Sequence, residues 1–357
     1  MKFIQPIAYG LTVLCLSLAG GHAQGADYLV PKAYYQPIDG KSGEDLKTAL
    51  HTLIYKHTQV SSYSALPSYF ERTDVYPDRT PKQWWDMYGS EPLYVPTFYP
   101  LLNREHSLPK SWWGGGTDTP AYVDLFHLYP SEAKANSAKS NYPLGVVDRS
   151  SKIPFDNGVS KVGYPVSGQG GGARQVFEPD DEYKGDFART YFYMATCYQN
   201  LHWNYTYMLS NNTYPTLNAW SQELLLKWHR EDKVSQKELD RNEIVYGIQA
   251  NRNPFIDFPE LAEYLWGNRK GDTFKLDINT DPDKTPTLIT PVQGMELDFG
   301  QVAEGHTSVA KLNLRGEALT GKNLTLSIYD NAQTSSARLF TLDGGVRTMT
   351  VSVNAVN

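Results

Sequence analysis

The chain has 357 residues, of which 40% are hydrophobic, 13% aromatic and 20% charged. Such a composition describes a folded chain long enough for a sizeable core and excludes a disordered one. A formal net charge of -6 excludes a polybasic binder that grips nucleic acid by bulk charge, and leaves open an enzyme that takes positive charge from a metal ion.

The amino terminus sets Lys2 before an apolar run from Ile7 to Leu18, with small residues up to Ala23. This is the pattern of an export signal spanning 1–23, so a secreted or periplasmic protein is expected, with association with the cell surface as a variant. A membrane span needs about 20 apolar residues, and no later segment approaches that. Cys15 follows Leu14, where a lipoprotein signal would want a small residue, so no lipid anchor is expected. Cys197 then remains without a disulfide partner, in an aromatic run, and reads as a buried inert thiol.

Residues 27–270 are rich in Tyr and Trp. Within them 44–57 place Leu46, Leu50, Leu53 and Ile54 at helical spacing. Residues 185–198 are apolar almost all round, as a core helix should be. Further helices are predicted over 221–231 and 236–246, and 142–176 reads as a Gly-, Ser- and Pro-rich loop. Residues 271–287 read as a linker. From about 288 to 357 the apolar positions alternate, as in Leu324, Leu326 and Ile328 or Val351 and Val353, which predicts antiparallel strands and a small β-sandwich. The fold class expected is therefore α+β, a mixed helical domain followed by an all-β one.

The densest chemistry lies in 103–145. Arg104, Glu105, His106 and Lys110 are followed by Asp124, His127, then Asn136, Lys139 and Asn141. A carboxylate beside an imidazole, a Gly-containing excursion and a short helix bearing an Asn suit a strand–strand–helix metal hairpin. Adjacent strand residues point to opposite faces, so the Glu105–His106 pairing proves nothing by itself. The other histidines, His51, His57, His202, His229 and His306, show no His-Glu-x-x-His spacing, which argues against a zinc hydrolase.

The segments Asn-Arg-Glu-His-Ser-Leu-Pro-Lys-Ser-Trp from Asn103, Asp-Leu-Phe-His-Leu-Tyr-Pro from Asp124 and Ala-Asn-Ser-Ala-Lys-Ser-Asn-Tyr-Pro from Ala135 resemble the bacterial endonuclease I family. So do Phe177-Glu-Pro, the run from Tyr183 through Arg189 to Met194, and Gln249 through Arg252 to Asp257. The resemblance covers most of 45–266. Members of that family carry the His-Me finger, or ββα-metal, nuclease site. The resemblance implies His106 as general base and Glu105 with Asn136 as ligands of one divalent metal, Mg²⁺ or else Ca²⁺ or Mn²⁺. It implies hydrolysis of DNA, with RNA as a further substrate, to 5′-phosphate and 3′-hydroxyl ends and with little sequence preference.

Better-known members place an Arg between the catalytic His and the metal-binding Asn; here that interval holds only Lys110 and Lys134, and a Lys stands at 139. Arg104 and Lys110 are expected phosphate contacts. Arg189 and Arg252 fit either a phosphate contact or a carboxylate anchor. His127 fits an orienting residue or a satisfied core histidine, Asn136 also fits a helix terminus, and the Trp112–Trp113 pair reads as packing rather than base stacking. Two rival readings stand beside the enzyme: a decayed nuclease that only binds nucleic acid, and a carrier for a glycan-binding or adhesive sandwich. No obligate protein partner is indicated.

Overall fold

The computed structural model describes residues 32–276 continuously, together with the strand segments 11–12, 296–297, 307–313, 323–329, 335–341 and 348–354. The chain divides into two compact units, Pro31–Asp277 and a second combining Met1–Val30 with Ile278–Asn357. Its architecture is α+β, with helices and small antiparallel sheets. Among the described residues no helix is long and apolar enough to cross a membrane.

In the first unit, α1 (Lys32–Tyr35) leads to α2 (Gly43–Tyr55), whose buried face carries Leu46, Leu50 and Ile54 at the spacing read from the sequence. The helix stops two residues before His57. Helix α3 (Leu66–Thr73) follows, and then the hairpin of β1 (Leu102–His106) and β2 (Leu128–Glu132). These strands are antiparallel, with Glu105 opposite Tyr129 and His106 opposite Leu128. Helix α4 (Ala133–Lys139) continues directly from β2. Asp86 pins that junction: one carboxylate oxygen accepts the Tyr88 N–H at 2.8 Å and the other the Glu132 N–H at 2.8 Å. A strand can thus pass into a helix without leaving a buried donor unmet.

The stretch expected to be loop holds two short strands, β3 (Phe155–Asp156) and β4 (Lys161–Gly163), which form a three-stranded antiparallel sheet with β5 (Val176–Glu178). The Asn157 side-chain oxygen closes the β3–β4 turn by accepting the Ser160 N–H at 2.8 Å. Strands of two or three residues give too few alternations for a period of two to register.

Helix α5 (Lys184–Cys197) is the core element, and every residue from Gly185 to Cys197 is buried. It packs against α2, α6 (Ala219–Glu231) and α8 (Pro254–Asp257). Each large apolar side chain it buries, Phe187, Phe192 and Met194 among them, contributes roughly 2 kcal/mol. Helix α7 (Gln236–Gln249) extends three residues past its predicted end and starts with a capping box, in which Ser235 and Glu238 exchange backbone and side-chain hydrogen bonds. A last short helix, α9 (Leu261–Leu265), closes the unit.

In the second unit, Thr307–Asn313 pairs antiparallel with Thr348–Asn354, and Asn323–Tyr329 with Ser335–Thr341. These strands contain the alternating positions at Leu324, Leu326, Ile328, Val351 and Val353. The two-residue strand Leu11–Thr12 pairs with Glu296–Leu297. Most of the expected export signal and linker, and the rest of 288–357, lie outside the described residues.

Candidate active site

Strand β1 carries the residues singled out from the sequence, and its pleat separates them. The Glu105 carboxylate faces α4: one oxygen accepts the Lys139 ammonium at 2.7 Å and the other the Asn136 amide N–H. Both groups come from one helical turn, because positions 136 and 139 lie three apart on one face. Glu105 and Lys139 are buried, and Asn136 is half-buried. Burial pushes the Glu105 carboxyl above its ordinary value, against the opposing pull of Lys139 and Asn136. The Lys139 ammonium balances the carboxylate charge one to one, and burial still outweighs its pull.

The His106 imidazole leaves by the other face. Its ring lies parallel to Tyr63 (5.5 Å between centroids, 7° between planes), nearly parallel to Tyr122, and edge-on to Trp113. Nε2 meets the Tyr122 carbonyl oxygen at 3.0 Å. A carbonyl only accepts, so Nε2 carries the proton and Nδ1 is left as the basic nitrogen. Burial lowers the His106 pKa well below the usual histidine value, and the neighbouring His127, Lys110 and Lys139 push the same way. The ring is therefore neutral at neutral pH. Lys139 touches Glu105 and its charge also acts on His106, which ties the two faces of β1 to one end of the hairpin.

His127 is fully buried, 5.3 Å from His106 between ring centroids, with Nε2 on the Ala121 carbonyl oxygen at 2.6 Å. Its Nδ1 has no hydrogen-bond partner among the described residues. The excursion between β1 and β2 therefore supplies the carbonyls, at 121 and 122, that fix both rings. Trp112 is buried with its indole N–H on the Asn141 carbonyl, and Trp113 is buried with its N–H on the Gly116 carbonyl, so both pack, as expected. Asn141 is placed at the end of α4 and held through that carbonyl.

Two sequence candidates are elsewhere committed. Arg189 is fully buried on α5, where Glu238 takes its guanidinium through two hydrogen bonds and the Asp232 carbonyl accepts a third. It presses so close to Gly185 that a Cβ there would run into it. Arg252 is buried and paired with Asp257 through two bonds, at 2.6 and 2.9 Å, and with Glu243 at 2.8 Å. Neither has a face left for phosphate, and the anchoring alternative is the one the geometry carries. Arg104 and Lys110 differ. Arg104 is half-buried, Lys110 is exposed, and neither meets a carboxylate among the described residues.

Sequence spacing gave no hint of a second cluster, in which His57, Asp124 and Cys197 bring ligand atoms within 4.8 Å of one another. By distance alone this group could hold an ion. The Asp124 carboxylate, however, already accepts Tyr193 and Tyr198 hydroxyls at 2.7 Å on one oxygen, and the Phe126 N–H and the Gln249 amide on the other. Burial pushes the Cys197 thiol well up, so it stays protonated and is a poor ligand. The donors there make a hydrogen-bonded structural node. At Glu105 both oxygens also accept hydrogen bonds, from Lys139 and Asn136, but the amide partner is half-buried and can turn. A carboxylate and an amide that presents Oδ1 after half a turn make an oxygen donor set of the kind hard divalent ions take.

The Endonuclease I family pattern matches residues 42–260. The extracellular ribonuclease of Bacillus amyloliquefaciens is 36% identical over 271 residues, covering 71% of this chain and 87% of that protein. The extracellular ribonuclease of Bacillus subtilis (strain 168) is 35% identical over 267 residues, 70% of this chain and 83% of its own length. Endonuclease-1 of Buchnera aphidicola subsp. Acyrthosiphon pisum (strain APS) is 24% identical over 133 residues, 37% of this chain and 44% of that protein.

Proposed function

This chain belongs to the Endonuclease I family and is a nuclease, and from that premise we propose that it is an exported, metal-dependent endonuclease that hydrolyses RNA and DNA with little sequence preference. The observation that carries the reading is the state of His106: its Nε2 proton is tied to the Tyr122 carbonyl, which leaves Nδ1 as a neutral base beside the residue that meets Asn136. His106 takes a proton from the attacking water at Nδ1. Tyr63 and Tyr122, lying parallel to the ring, hold its plane during that transfer. Glu105 and Asn136 would hold Mg²⁺, with Ca²⁺ or Mn²⁺ as substitutes. When bound there, the ion neutralises phosphate charge as a Lewis acid.

Lys110, exposed and close enough for its charge to act on His106, steadies a phosphate oxygen. Contacts of this kind go to the backbone and not to base edges, so cleavage follows the chain and not the sequence. Water attacking on the side opposite the 3′ oxygen leaves 5′-phosphate and 3′-hydroxyl ends. Export belongs to the same reading, supported by the apolar run after Lys2 and by relatives named as extracellular.

A cleavage assay tests the whole scheme, with supercoiled plasmid and homopolymer RNA as substrates, magnesium titrated from zero and EDTA as control. Wild type is expected to cut both and to stop on chelation. His106→Ala is expected to lose about two to four decades of rate with its thermal unfolding unchanged. Undiminished cleavage by that variant, or cleavage in EDTA, overturns it.

A further inference from the structure

The face of β1 that carries His106 also carries Arg104, two residues away, because strand side chains repeat every second position. Tyr63 touches both: its ring lies parallel to His106, and the Arg104 guanidinium carbon sits 4.1 Å from its centroid. Two hydrogen bonds lock that pair. Arg104 donates to the Tyr63 carbonyl at 2.8 Å, and the Tyr63 hydroxyl donates to the Arg104 carbonyl at 2.9 Å. Tyr99 lies 5.2 Å from the same guanidinium and is 50% exposed. Arg104 has no ion pair among the described residues, although Arg189, Arg241 and Arg252 each have a carboxylate.

A guanidinium without a carboxylate, set over one Tyr and beside a second Tyr half in solvent, is not packing that a core requires. It begins about 7 Å along the strand from the general base, with the Tyr99 ring as its exposed part. From this geometry we propose that Tyr99 and Arg104 form a base-stacking subsite for the nucleotide next to the scissile phosphate, and that the substrate it selects is single-stranded nucleic acid. The inference rests on the nuclease reading of His106 and Glu105. Every base has a π face, so stacking there gives affinity without sequence choice. A base inside a duplex has both faces covered by its neighbours and must first be unstacked, which costs a few kcal/mol. Single strands offer the face freely.

The test measures kcat/KM on one labelled 20-mer, single-stranded and annealed to its complement, at fixed magnesium and salt. Wild type is expected to favour the single strand. Tyr99→Ala is expected to lower the single-strand to duplex ratio about tenfold, with Tyr99→Trp restoring it. Arg104→Lys keeps the charge and loses the plane, and should lower the ratio too. Tyr164→Ala removes another exposed tyrosine, 43% exposed, and should leave the ratio as in wild type. A Tyr99→Ala ratio equal to that of wild type, or an equal fall in Tyr164→Ala, overturns the subsite while the nuclease reading stands. Absence of cleavage of either substrate by wild type overturns the nuclease reading itself.

Discussion

Two sets of cations in the first unit have opposite environments. Behind the site, Arg189, Arg241 and Arg252 are buried, and each is gripped by a carboxylate, on Glu238, Asp74 and Asp257 respectively. Near the β1 face, Arg104 is half-buried, Lys110 is exposed, and neither meets an acid among the described residues. A guanidinium enclosed by protein must be neutralised there, because the interior offers no water to solvate it. One left at a half-exposed face is free to meet an anion from outside. Position in the fold, and not residue type, decides whether an arginine is committed to a carboxylate or left without one.

The sharpest way to break that division is Arg189→Met. It leaves Glu238 buried without its partner, and a loss of about 3–5 kcal/mol in urea unfolding is expected. Adding Glu238→Gln should recover much of it. If the single variant were fully stable and instead lost affinity for nucleic acid, Arg189 would belong to the other set.

A smaller effect comes from His229, which packs on the same buried cluster. Its Nδ1 meets Arg189 at 3.2 Å and its Nε2 the Pro259 carbonyl at 2.9 Å. Burial, and then the Arg189 charge, lower its pKa to about 4. A folded pKa below the unfolded one means that the contribution to stability is fully present above about 6.5 and is lost as pH falls through about 4. Up to about 3 kcal/mol is at stake. Urea midpoints between pH 7 and pH 4 should fall steeply in wild type and more gently in His229→Gln; parallel curves would contradict the assignment.

The smallest effect is expected at the open face. Lys110→Ala, measured as binding in a His106→Ala background, should weaken affinity for single strands several-fold. It should also reduce the slope of log affinity against log salt by about one, as for a single phosphate contact. An unchanged salt slope would remove Lys110 from the phosphate path.

Local patterning made much of the scaffold legible. The leucines of α2 and the all-round apolar run of α5 repeat within a few residues, so burial shows in the sequence itself. The Glu105, His106 and Asn136 candidates were visible through their matched segments. The faces they use were not. Glu105 and His106 diverge across the pleat, and what each meets, Lys139 on one side and the Tyr122 carbonyl on the other, depends on the hairpin and the helix after it. The short sheet of β3, β4 and β5 left no periodic trace. The Asp124 node gathers His57, Tyr193, Tyr198 and Gln249 from distant segments and left none either.

Sequence by itself determined the longer helices and the α+β class, because those depend on spacing over a turn or two and on side-chain type. Only the tertiary structure decided which cations are spent on carboxylates. Arg189 and Glu238 stand 49 residues apart, and no local pattern records that they meet. The same holds for Tyr63 and Arg104, which stand 41 residues apart. Charge and aromatic character are properties of residues, whereas pairing and exposure are properties of where the chain brings them.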